Sequence, residues 1–190
     1  MAKEKTRCGW CVGKPLYEKY HDEEWGFPEY DDKKQFEFLI LESAQAGLSW
    51  WTILQRRDNY KKAFANYDYK KVAKYTPEKV EELMQDAGII RNRAKIEAAI
   101  NNAQRFIEIQ KEFGTFSKYI WSFVGGKPKD NNCKTLSNVV ATSAESDALA
   151  KDMKARGFKF LGSTTLYAHM QATGLVNDHV ADCFRYKECK

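Results

Sequence analysis

Glu42 sits in the stretch FEFLILESAQAGLSW, residues 36–50, with Phe38, Leu39 and Ala46 as its neighbours at helical spacing. A carboxylate on an apolar helix face is costly unless it is paired or solvated. Two uses fit the position. Either the side chain reaches solvent or a Tyr, Trp or Arg partner, or it is reserved for a ligand that brings positive charge or amine donors. Four of the five tryptophans, Trp10, Trp25, Trp50 and Trp51, fall in the first 51 residues. Ring faces attract cations, so aromatic groups around a carboxylate would suit a flat cationic ligand. Core packing is the competing use of each ring taken singly.

A second set of residues has metal-ligand chemistry. Cys8 and His21 have twelve residues between them, and His179 and Cys183 stand at i, i+4. Two thiolates and two imidazoles can close a tetrahedral zinc shell, here tying one end of the chain to the other. The alternative is two unrelated Cys/His pairs, and Cys11 and Cys189 are substitute ligands with less natural spacing. Cys133 reads as an unliganded thiol, and His169, in LYAHMQ, as a hydrogen-bonded helix residue. The start MAKEKTRCGW lacks an apolar signal region, so the five cysteines are expected as reduced thiols or ligands rather than a disulfide framework.

The third element is EELMQDAGIIRNRAKIEAAI. It reads as a helix ending near Asp86, a tight turn at Gly88 and a second helix. Such a turn presents backbone N–H groups at a helix start, a natural phosphate site, and Arg91, Arg93 and Lys95 add basic charge. It resembles a helix-hairpin-helix DNA-binding element. Ile90 replaces the usual second hairpin glycine, so a plain αα-hairpin with a solvated basic end is the alternative.

These groups must be positioned by helices. Asp31-Asp32 caps a helix through KKQFEFLILESAQA, and Ser49 caps WWTILQRRDNYKKAF. Thr76-Pro77-Glu78 opens a helix carrying Val80, Leu83, Met84 and Ala87. Ile96, Ala99, Ile100, Ala103, Phe106 and Ile107 repeat the spacing. Ser143 opens AESDALAKDMKAR, which Gly157 ends, and 164–173 reads as a last buried helix before Gly174. Residues 125–142 show no strand alternation. The expectation is an all-α fold in a single domain over residues 1–190. A chain with 43% hydrophobic and 30% charged residues is neither mainly disordered nor, lacking eighteen consecutive apolar residues, membrane-spanning. The formal charge of +5 fits a polyanion partner without requiring one.

Several blocks taken together resemble the Tag family of 3-methyladenine DNA glycosylases, within the helix-hairpin-helix superfamily. They are RCGW (7–10), PLYEKYHDEEWG (15–26), LESAQAGLSW (41–50), DAGIIRNRAKI (86–96), WSFV (121–124), RGFKFLGSTT (156–165) and GLVNDH (174–179). The resemblance implies a helix-hairpin-helix glycosylase fold, with the hairpin at about 78–107. It implies one structural zinc on Cys8, His21, His179 and Cys183, joining terminal segments at about 7–21 and 174–185. It makes Glu42 the catalytic, base-recognising carboxylate and puts Trp10, Tyr17, Tyr20 and Trp50 around the base. It places Gly47 and Leu48 beside the gap left in the DNA, and Gly88, Ile89, Ile90, Arg91 and Arg93 on the backbone.

The implied reaction flips 3-methyladenine out of double-stranded DNA and hydrolyses its N-glycosidic bond, leaving an abasic site and free 3-methyladenine. From Ala87 to Lys129 the chain has no Asp. That argues against a broad-range hairpin glycosylase, because a cationic base leaves without strong acid or base help. Asn92 falls where a lyase lysine would stand, so the enzyme is expected to be monofunctional. A non-catalytic, zinc-stabilised DNA-binding or damage-sensing module is the alternative. A cytoplasmic monomer without membrane contact is the remaining expectation.

Overall fold

A computed structural model describes residues 5–189; residues 1–4 and 190, the ends of the expected domain, lie outside them. Ten α-helices are present among the described residues: α1 Pro15–Glu23, α2 Asp32–Gln45, α3 Trp50–Leu54, α4 Arg57–Ala63, α5 Tyr69–Val72, α6 Pro77–Gln85, α7 Arg93–Phe113, α8 Phe116–Ser122, α9 Ala144–Ala155 and α10 Ser163–Ala172. The caps read from the sequence form. Asp31, Ser49, Thr76 and Ser143 each accept from a backbone N–H in the first turn of the helix they open, and Asn92, not singled out as a cap, does the same for α7.

α2 is the hub. Every residue from Gln35 to Ala44 is buried, polar ones included, which marks a helix enclosed on all sides. It packs against α3, α4, α7, α8 and α10. Asp32 locks its start to α8: its carboxylate accepts from Phe116 N at 2.9 Å and Ser117 N at 2.8 Å. The main core lies between α2, α7 and α10, around Phe36, Phe106, Phe116, Leu166 and Met170. A second, smaller cluster joins the chain ends through Cys8, Tyr20, Trp25, Phe38, Leu54, Val180 and Cys183.

Two expectations need correction. The helix expected from Ser49 through Phe64 is two helices. The backbone breaks at Arg56 (φ −103°, ψ 1°), and Arg57, opening α4, bonds Glu24 at 2.6 Å and Glu37 at 2.7 Å. The fold is mostly helical but carries one parallel two-residue ladder, β1 Lys129–Asp130 beside β2 Val176–Asn177. β1 falls in the 125–142 segment, which is otherwise irregular apart from a 3-10 turn at Leu136–Asn138.

Candidate active site and metal centre

α2 delivers Glu42 to the floor of a cavity of about 430 Å³. Its walls come from Trp10 of the N-terminal segment, Tyr17 and Tyr20 of α1, Trp50 of α3, and Ala168 and Gln171 of α10; Leu136 and Val139 close one side. The structure thus brings together Glu42, Trp10, Tyr17, Tyr20 and Trp50, which the sequence places in four separate segments. The rings brace one another. Trp10 meets Tyr17 and Trp25 edge-on, each with ring centroids 4.9 Å apart, and Trp50 lies 5.4 Å from Tyr20 and stacks on Phe38.

Glu42 is 4% exposed, and among the described residues nothing donates a hydrogen bond to it and no cation pairs with it. Burial alone pushes its carboxyl up to about 8. Tyr20 is raised well above the usual phenol range by burial and then by the Glu42 charge, so its hydroxyl stays a donor. The Trp50 indole N–H is also buried without an acceptor among the described residues. Unmet polar groups of this kind, inside an aromatic cavity, are what a polar, flat ligand would satisfy. A second depression, of about 550 Å³, lies beside α1, α2 and α4. Its central charges neutralise each other through Arg57, Glu24, Glu37 and Lys34, so it lacks the unmet groups of the Glu42 cavity.

The sequence did not single out Gln45, Leu136, Val139, Ala168 or Gln171 as cavity residues, and it noted Trp25 without a role. Gln45 was findable, at i+3 from Glu42 on the same face. The others arrive from α10 and the irregular segment, where no local pattern marks a lining residue.

The rim leads toward the expected hairpin. Gly47, at φ +79°, lets the chain turn out of α2, and Leu48 is 41% exposed beyond it. Lys95, in the first turn of α7, donates to Ala44 O at 2.8 Å and Ala46 O at 2.6 Å, tying α7 to that turn. The α6–α7 connection is a tight turn, and Gly88 is needed there for lack of room for a side chain. Its φ is not positive. A Cβ would sit 2.9 Å from Asn59 Cβ and from Asp86 Oδ1. Three of the turn's N–H groups are already used: Gly88 by Asp86 Oδ1, Ile89 by Asp86 O and Ile90 by the Tyr60 hydroxyl. Ile89 is buried. The N–H groups of Arg91, Arg93 and Ala94 have no acceptor among the described residues. Arg91 is exposed, while Arg93 pairs with Glu81 at 2.7 Å. Glu97, Glu108 and Glu112 are exposed on α7, each near an arginine.

Cys8, His21, His179 and Cys183 converge. All four are buried, and their ligand atoms lie within 4.8 Å of one another. His179 Nδ1 is 3.6 Å from Cys8 Sγ and 3.5 Å from Cys183 Sγ, which is 3.5 Å from His21 Nε2. The outer ring nitrogens are engaged as well: His179 Nε2 with Trp25 O at 3.1 Å, and His21 Nδ1 with Asp22 Oδ1 at 2.9 Å. A carbonyl cannot donate, so His179 carries its proton on Nε2 and turns a lone pair inward. Asp22 is held in turn by Arg7. Cys183 is drawn well below the usual thiol range by a hydrogen bond from the Cys8 thiol, with the His179 and His21 contacts adding to the effect against burial. The cluster can hold a metal ion. Cys11, Cys133 and Cys189 are buried thiols outside it. His169 is the expected hydrogen-bonded helix residue, with Nε2 2.7 Å from Gln35 Oε1.

A mostly helical fold with a buried carboxylate in an aromatic cavity and a Cys₂His₂ cluster joining the terminal segments fits the base-excising DNA repair class that the resemblance implies. The family model for methyladenine glycosylases matches residues 10–186, and the chain belongs to that family. It is 51% identical over 180 residues to DNA-3-methyladenine glycosylase 1 of Escherichia coli K12, covering 95% of this chain and 96% of that one. A solved structure of 3-methyladenine DNA glycosylase I superposes with a TM-score of 0.92 at 47% identity, over 94% of this chain and 98% of the other. The Staphylococcus aureus 3-methyladenine DNA glycosylase I, solved for its recognition of 3-methyladenine, gives a TM-score of 0.91 at 41% identity, over 94% and 95%.

Proposed function

We propose that this chain is a monofunctional DNA-3-methyladenine glycosylase. It flips 3-methyladenine out of alkylated duplex DNA, hydrolyses the N-glycosidic bond and leaves an abasic site. The observation that carries this reading is Glu42, buried, unpartnered and ringed by Trp10, Tyr17, Tyr20 and Trp50.

The chemistry follows from that arrangement. Methylation at N3 puts a positive charge on adenine and weakens its bond to the sugar. The base then leaves neutral, so leaving-group protonation is unnecessary. The burden on the protein is selection and access. Without a base in the cavity, Glu42 keeps its proton at neutral pH. A cationic base lets it ionise, accept from the exocyclic amine and pair with the charge, while the rings stack on the base. Neutral adenine offers no such compensation. Water attacks the sugar carbon through an oxocarbenium-like state, which the DNA's own phosphates help to stabilise.

Leu48 would fill the gap left by the flipped nucleotide, as an exposed apolar side chain on the cavity rim. The turn from Gly88 to Arg93 would hold backbone phosphates, through the free N–H groups at the start of α7 and the Arg91 charge. Ile89 is buried and Ile90 half-buried against the core, so within the turn they would contribute backbone position more than side-chain contact with the DNA. Asn92 caps α7 and Lys95 is bound to two carbonyls, so neither offers an amine nucleophile for strand cleavage.

Cys8, His21, His179 and Cys183 would hold one structural zinc. The sulfur–nitrogen separations in the cluster match the edge of about 3.5 Å expected for a tetrahedral Cys₂His₂ zinc site. Four protein ligands leave no position for a water, so the ion would supply stability and no chemistry.

The test is binding of free bases, followed by tryptophan fluorescence. The protein should bind 3-methyladenine and reject adenine, and Glu42→Gln should weaken the first without altering binding of undamaged duplex. Equal affinity of wild type and Glu42→Gln for 3-methyladenine would remove the carboxylate from base recognition.

A further inference from the structure

We propose that the side-chain carbonyl of Gln171 is a second hydrogen-bond acceptor in the base cavity, fixed in that role by Asp178, and that it discriminates a 6-amino purine from a 6-oxo purine. The proposal rests on the glycosylase reading and deepens it.

An amide side chain can present either a donor or an acceptor, and the choice is set by its neighbours. Gln171 lies on α10, one turn after Ala168, and both line the cavity. Its Nε2 donates to Asp178 Oδ2 at 2.7 Å. Asp178 is 1% exposed and is surrounded by donors: the Tyr167 hydroxyl at 2.8 Å and Asn131 Nδ2 at 2.7 Å. A flipped amide would set its oxygen against that carboxylate. The Nε2 end is therefore pinned to Asp178, and Oε1 remains as the end without a partner among the described residues.

The cavity then holds two acceptors, the Glu42 carboxylate and Gln171 Oε1. An exocyclic amine has two N–H donors and can serve both. A 6-oxo purine presents a carbonyl oxygen at the same position, which meets an acceptor head-on. The charge on Glu42 selects for a cation, and one of its oxygens accepts from one N–H of the amine. The oriented amide adds selection for the amine, which charge cannot provide because methylated 6-oxo purines are also cationic in DNA. A site built to bond a donor penalises a ligand lacking it, because its own polar group is left unmet.

The experiment measures dissociation constants for free 3-methyladenine and 3-methylhypoxanthine, in wild type and in Gln171→Leu. Wild type should favour 3-methyladenine, and the ratio of the two constants should fall roughly tenfold in the variant, the value of one lost hydrogen bond. An unchanged ratio overturns the proposal, whether or not both affinities drop together. Gln171→Met, which also lacks the amide, should show the same fall in the ratio and replaces Gln171→Leu if the branched side chain disturbs α10. In the unaltered protein, the Gln171 Cδ resonance should shift with 3-methyladenine and not with 3-methylhypoxanthine; an equal response to both also overturns it. If wild type binds neither base, the glycosylase reading itself fails, a result distinct from preserved discrimination in the variants.

Discussion

Burial without a partner makes Glu42 costly to the folded chain as well as useful to a ligand. Its carboxyl titrates near 8 in the folded state against 4.5 in the ordinary range. The folded protein therefore holds a proton that the unfolded chain has released between those two values. Stability falls as pH rises through that window, by up to about 5 kcal/mol. Glu42→Gln should remove this dependence, so urea melts should show the variant gaining on wild type from pH 5 to pH 8. A constant gap across that range would contradict it. The apolar run around Glu42 made this residue legible, since a lone acid on such a face demands a reason. Gln171 was illegible because its role depends on Asp178, which approaches from beyond α10 and the β2 ladder.

At the scale of elements, the turn between α6 and α7 was legible while the steric reason for its glycine was not. The sequence marks the turn by its glycine, but the steric need comes from Asn59 on α4 and from Asp86. Gly88→Val should push the turn off α4 and weaken duplex binding at least several-fold, while free 3-methyladenine binding is spared. Loss of both would mean that the fold, and not the phosphate contact, was disturbed. Undiminished duplex binding would take the hairpin out of the interface. Duplex affinity should also fall with added salt. Because Asn92 caps α7 and the Lys95 amine spans to the end of α2, borohydride should trap no protein on abasic product DNA; an adduct lost in Lys95→Ala would overturn the monofunctional reading. Caps were readable because they are local. The break at Arg56 was not, because its benefit is the pairing of Arg57 with residues 20 and 33 positions away. Helices as short as α5 and α8 complete too few turns to show a period.

At the scale of the molecule, the Cys/His cluster fastens the N-terminal segment to the C-terminal one, beneath Trp10 and Tyr20 of the cavity wall. Its ligands were legible as types and spacings that could close one shell, with two unrelated pairs as the alternative until the resemblance implied a single site. Gly26 was not singled out. At φ +85°, a Cβ there would lie 2.7 Å from His179 Nε2. Cys8→Ala, His179→Ala and Gly26→Val should each lose a bound metal ion in elemental analysis. Each kcal/mol lost lowers Tm by roughly 2–4 °C in a chain of this size. One equivalent of zinc retained in both Cys8→Ala and His179→Ala would refute the ligand set. No described helix is long and apolar enough to cross a membrane.

The roles proposed for the cavity, the rim and the hairpin serve one reaction, and the products of methylated duplex DNA report on it most directly. Incubated with such DNA, the protein should release 3-methyladenine, identified by chromatography, and leave the strands uncut, with Glu42→Gln releasing it at least tenfold more slowly. No release of 3-methyladenine by the wild-type protein would contradict the account at its centre.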